Sequence, residues 1–74
     1  KIMGNKIKMM VVAEDMIRFY TSSKDEVEAV RTKVEKFDRN VRFDVNDDMT
    51  CDMLADARTL LIFMMNLRSM EFEL

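Results

Sequence analysis

Among the residue types that carry proton, phosphoryl or metal chemistry, this chain of 74 residues has no histidine and one cysteine, Cys51. A Cys–His nucleophile pair is impossible, and a lone thiol without imidazole cannot build a zinc site. Cys51 fits a small apolar residue at an inward-facing strand position. The densest acids are Asp47, Asp48 and Asp52, beside Asn46. A calcium loop needs a glycine at its sharp turn and a bidentate glutamate at its end; both are missing, so these acids read as a solvated turn. The single glycine excludes Gly-rich phosphate loops. Glu26, Glu28, Glu35 and Asp38 spread around a helix as solvent face. No two carboxylates are placed as acid and base, so neither a catalytic constellation nor a cofactor is expected.

The elements that would position these groups follow from pattern. Residues 1–13 are ambiguous: Ile, Met and Val residues there suit a strand, with Gly4-Asn5 as a turn before it, and equally a short helix running into Glu14. Met16–Tyr20 alternates as a strand, Ile17 and Phe19 on one face and Met16, Arg18 and Tyr20 on the other. Ser23 followed by Glu26 is a capping box, in which the serine oxygen accepts a first-turn N–H and the glutamate reaches back to the cap's own N–H. The helix should run over Lys24–Phe37, with Val27, Val30, Val34 and Phe37 on one stripe. Residues 41–45 alternate, placing Val41, Phe43 and Val45 inward and Arg42 and Asp44 in water. Asn46, Asp47 and Asp48 turn the chain. Residues 49–54 return it, with Met49, Cys51 and Met53 sharing a face.

Residues 56–59 carry helix-start signals, and Leu60, Leu61, Met64 and Leu67 make the apolar face that follows. Residues 70–74 alternate as a last strand. The expected fold is α+β, in the order β-α-β-β-α-β, a small antiparallel sheet with helices on one face. Residues 1–15 would be an extension before a single domain of residues 16–74. Nine methionines suit an adaptable core or a re-packable binding surface. Met64 and Met65 point about 100° apart on a helix, so one of them should face a partner or solvent.

A chain below roughly 70–80 residues rarely gains more than ~3–5 kcal/mol from one core without a staple or partner. One cysteine cannot form an internal disulfide, and it fits a reducing, cytoplasmic setting. The formal charge is −2 with both signs interspersed, so no basic stripe invites nucleic acid or an anionic membrane. No apolar run approaches the ~20 residues of a membrane span, and no secretory leader is expected, since Glu14 and Asp15 interrupt the first segment.

Lys36-Phe37 closing a helix, the alternating residues 41–45, then Ala57-Arg58-Thr59-Leu60-Leu61 and the alternating residues 70–74 together resemble the HPr phosphocarrier family of the bacterial phosphotransferase system. The resemblance covers roughly residues 16–74 and implies an open-faced β-sandwich. In that family the phosphoacceptor is a histidine in a His-x-Arg-Pro loop before the first helix. Here the loop is Thr21, Ser22, Ser23 and Lys24, so the resemblance implies the scaffold without the relay. It also aligns Thr59, after Ala57-Arg58, with the family's regulatory serine at a helix N-terminus, where the dipole favours phosphate. A plain first-turn threonine is the simpler role. The family's third helix has no counterpart in residues 16–74, so the first residues, a partner chain or residues outside this sequence should cover the sheet, and a dimer is expected over a monomer.

These features point to a non-catalytic regulatory or protein-binding module. It would present the second helix to a phosphotransferase-type regulator or kinase, or to itself as a dimer. Leu60, Phe63 and Met64 would form the buried centre of the contact and Arg58 and Arg68 its rim. Two rivals stay open: a chain phosphorylated on a hydroxyl, as a phosphocarrier or as a regulator at Thr59, and an unrelated ferredoxin-like dimeric interaction domain. The sheet order separates the two scaffolds: the first strand at the edge beside the fourth supports an HPr-like one, whereas the first and third strands in the centre support the ferredoxin-like one.

Overall fold

The computed structural model describes residues 7–70, the last three as backbone. Six elements follow one another: β1 (Lys8–Ala13), β2 (Met16–Tyr20), α1 (Lys24–Phe37), β3 (Arg42–Val45), β4 (Thr50–Leu54) and α2 (Ala57–Met70). They make a small α+β domain with one four-stranded sheet, in the order β1-β2-β4-β3. All three pairings are antiparallel. Because β4 lies between them and opposes both, β2 and β3 run parallel, and α1 is the crossover that joins them.

The sequence sets the starts of both helices by side-chain capping. Ser23 has extended backbone (φ −159°, ψ 162°) and its hydroxyl accepts the Glu26 N–H. The Glu26 carboxylate reaches back to the N–H of Ser22 at 2.8 Å, one residue earlier than the expected partner, and takes the Ser22 hydroxyl as well at 3.1 Å. At the far end the Asp38 N–H bonds Val34 O at 2.9 Å, and the Asp38 carboxylate accepts the Asn40 N–H to turn the chain towards β3. Asp56 caps α2: its carboxylate accepts the Thr59 N–H at 2.8 Å and its carbonyl the Leu60 N–H at 3.0 Å.

The core forms where both helices cover one face of the sheet. Ile17 and Phe19 from β2 and Cys51 and Met53 from β4 are fully buried there against Val30 and Val34 of α1. Leu60, Phe63 and Leu67 of α2 complete the cluster. Phe63 stands edge-on to Phe19 (ring centroids 6.3 Å, 89°) and to Phe37 (5.1 Å, 71°), so it ties α2 to both β2 and the end of α1. Arg31 lies over the Phe43 ring, 5.1 Å from its centroid, and closes the β3 side.

Four expectations change. Among the described residues the order is β-β-α-β-β-α. The segment left open between strand and helix is strand β1, because Met9 packs on the core while its sequence neighbours fall on the alternate face. Residues 8–15, expected to stand before the domain, form β1 and its turn within the same sheet. Met70 ends α2 rather than starting a strand. The rest of that expected strand, residues 71–74, and the Gly4-Asn5 turn lie outside the described residues. Val41, just before β3, and Phe43 within it pack on the core as expected, but Val45 is exposed, because it sits at the end of an edge strand. No helix among the described residues is long and apolar enough to cross a membrane.

Candidate protein-binding surface

Helix α2 carries two apolar stripes. Leu60, Phe63, Met64 and Leu67 recur at i, i+3, i+4 and i+7 and face the core, Met64 half-buried at its margin. Arg58, Leu61, Ile62 and Met65 repeat the same spacing on the outer side. Leu61 is 57 % exposed, Ile62 44 % and Met65 59 %. A helix that is apolar on both sides is ordinarily covered on both.

The expected contact residues divide accordingly. Leu60 and Phe63, expected at the centre of a partner contact, are buried in the core, because they lie on the stripe that meets Phe19 and Phe37. Met65 takes the outward place in the Met64–Met65 pair, as their angular separation required. Arg58 is exposed at the start of the outer stripe. Arg68 falls in the last turn of α2, its side chain outside the described residues. Leu61 and Ile62, missed as contacts, had a signal in the second i, i+3, i+4, i+7 series, which was masked by assigning Leu61 to the core stripe.

Thr59 is half-buried in the first turn of α2, with its N–H on the Asp56 carboxylate. That N–H first, and the Thr59 hydroxyl next, hold the Asp56 carboxyl below its ordinary value. A phosphate on Thr59 would meet the helix's positive end but would also face Asp56, so the dipole and a like charge oppose each other there.

On the face of the sheet away from the helices, one row runs Met10, Arg18, Asp52, Asp44 across all four strands. Arg18 grips Asp52 with two bonds, Nε to Oδ1 at 2.8 Å and Nη2 to Oδ2 at 3.1 Å. Asn46 Nδ2 donates to the same carboxylate at 3.1 Å and to the Thr50 hydroxyl at 2.9 Å, and that hydroxyl donates to Asp48 at 2.7 Å. Asp52 lies on the return strand as expected, but it is a buried carboxylate and not one of the solvated acids of the turn. The Arg18 guanidinium holds its carboxyl below the usual range, against the opposing effect of burial. This network fixes the register of β2 against β4 and anchors the 46–49 turn.

The turn itself is strained. Met49 N–H bonds Asn46 O, Asn46 N–H bonds Thr50 O, and Met49 sits at φ 70°. A type I turn followed by a left-handed residue is a common hairpin connection, and that position normally takes glycine. Thr21 donates its hydroxyl to the Met49 carbonyl and so ties the turn to the start of α1.

Cys51 is fully buried on the core side of β4, and burial pushes its thiol up to about 11. It is an inert packing residue, not a nucleophile. Comparison with protein-family models, with curated proteins and with solved structures finds no match to this chain.

Proposed function

We propose that this chain is a non-catalytic protein-binding module that presents the outer stripe of α2 to a partner protein. One observation carries this: Leu61, Ile62 and Met65 are exposed on a helix whose opposite stripe already fills the core. The partner would offer an apolar groove for these three side chains, with an acidic rim facing Arg58, the helix-in-groove mode of recognition. A flexible methionine in such a stripe lets the surface re-pack against more than one shape. The free, buried Cys51 suits a reducing, cytoplasmic setting. The central positions of β2 and β4, the expected first and third strands, favour a ferredoxin-like interaction domain over an HPr-like scaffold.

A photo-crosslinking residue at position 62 tests this in cells. A defined adduct that disappears with Leu61→Lys/Met65→Lys, while the circular dichroism spectrum is unchanged, supports the outer stripe. An adduct that survives those changes, or none at all, sinks it.

A second function, a histidine-free HPr-like regulator modified on Thr59, is favoured by the place of that hydroxyl in the first turn of α2 behind Arg58. Incubation with ATP and an HPr-type kinase, read by intact mass and mapped to the residue, decides it. Phosphate on Thr59 sustains this role, and an unmodified chain removes it.

A further inference from the structure

We propose that β1 is the pairing edge of a homodimer, in which two copies of the sheet join antiparallel across a twofold axis. This goes beyond the α2 surface and does not depend on it. The two edges of the sheet are built differently. The β3 edge is four residues long and carries the Arg42–Asp44 ion pair at 3.0 Å, the kind of charged, short strand that resists pairing. The β1 edge is six residues long, with no proline and only Lys8 charged, and among the described residues no strand pairs with its outer side.

The exposed side chains of β1 lie on both faces. Met10, 52 % exposed, sits in the open-face row with Arg18; Val11, also 52 % exposed, sits in the helix-side row with Ile17. A partner resting on either face would cover one of them and leave the other wet. A strand laid alongside covers both at once, because its own side chains alternate in step.

Charge selects the occupant and its direction. The apolar stretch 9–13 is bounded by Lys8 at one end and by Glu14 and Asp15 in the turn at the other. All three are exposed and in no ion pair among the described residues. An antiparallel copy brings each Lys8 towards the other copy's Glu14 and Asp15, twice by symmetry, whereas a parallel copy would set Lys8 against Lys8. The shift in register between Val11 and Ala13 twists the far end of β1, so the pairing is centred near Met10, with Glu14 of the second copy a diagonal step from Lys8.

Sedimentation velocity over a range of concentrations, with circular dichroism of every variant, tests this. The wild-type chain should show a monomer–dimer equilibrium, and amides of Lys8–Ala13 should gain exchange protection as the dimer forms. Val11→Lys should abolish the dimer with the monomer still folded. Lys8→Glu should weaken it about tenfold, since an exposed pair is lost at two symmetric places, and Lys8→Glu/Glu14→Lys should restore it. Leu61→Lys/Met65→Lys should leave it intact. A monomer at all concentrations overturns the proposal, whether residues 71–74 or another protein's strand covers the edge. So does a dimer that survives Val11→Lys, one not rescued by the charge swap, or one that is lost with the α2 variant.

Discussion

Single residues account for the best-defined local energetics. Met49 adopts a left-handed backbone that costs a side-chain-bearing residue about 1–2 kcal/mol relative to glycine, partly offset by the greater entropy glycine loses on folding. Met49→Gly should therefore stabilise the chain by roughly 0.5–1 kcal/mol, seen as a higher urea midpoint with unchanged slope. Asp52 gives the molecule its acid sensitivity. Its carboxyl is held below the ordinary value by Arg18 in the folded state, so its contribution is complete above the unfolded value of about 3.9 and is lost as pH falls through the lower folded value. Asp48 and Asp56, lowered by Thr50 and Thr59, act in the same direction. Thermal midpoints should fall steeply below about pH 4, and Asp52→Asn should flatten that fall while lowering the midpoint at neutral pH. Cys51, buried with its thiol pushed up to about 11, should react with a disulfide reagent only at the rate of unfolding. Rapid labelling under native conditions would contradict its burial.

At the scale of elements, α2 distinguishes core from surface within one helix. Phe63→Ala removes a ring packed against Phe19 and Phe37 and should cost about 3–5 kcal/mol, enough to unfold much of so small a domain. Ile62→Ala, on the outer stripe and 44 % exposed, should change stability by less than about 0.5 kcal/mol. Equal losses in the two variants, measured by urea titration, would show that both stripes are packed. Helix α1 was legible from the sequence to its ends, because Ser23, Glu26 and the valine stripe are local signals that need no tertiary context. Strand β2 and a turn at residues 46–48 were legible for the same reason, but Met49, expected on the return strand, completes the turn instead. The identity of β1 was not, since a short apolar run suits a strand or a helix until a neighbour is known. The inward and outward stripes of α2 were not separable either, because both repeat with the same spacing.

At the scale of the whole molecule, the two proposed surfaces lie on different elements, α2 for a partner protein and β1 for a second copy. If the copies join through β1, the melting temperature should rise with protein concentration, and Val11→Lys should remove that dependence. A concentration-independent midpoint in the wild-type chain would argue against association. The sequence by itself determined the lengths and types of α1 and β2, the presence of the β3–β4 hairpin, the lack of histidine and the small α+β class. Capping, alternation and composition act over a few residues, so they are fully written in the chain. Only the tertiary structure decided that β1 joins β2, that β2 and β4 take the centre, that Arg18 meets Asp52, and which side of α2 faces out. Those choices depend on pairings between residues distant in the chain, 34 positions apart for Arg18 and Asp52 and further for Phe19 and Phe63, and no local pattern encodes which of several similar apolar or charged residues will meet.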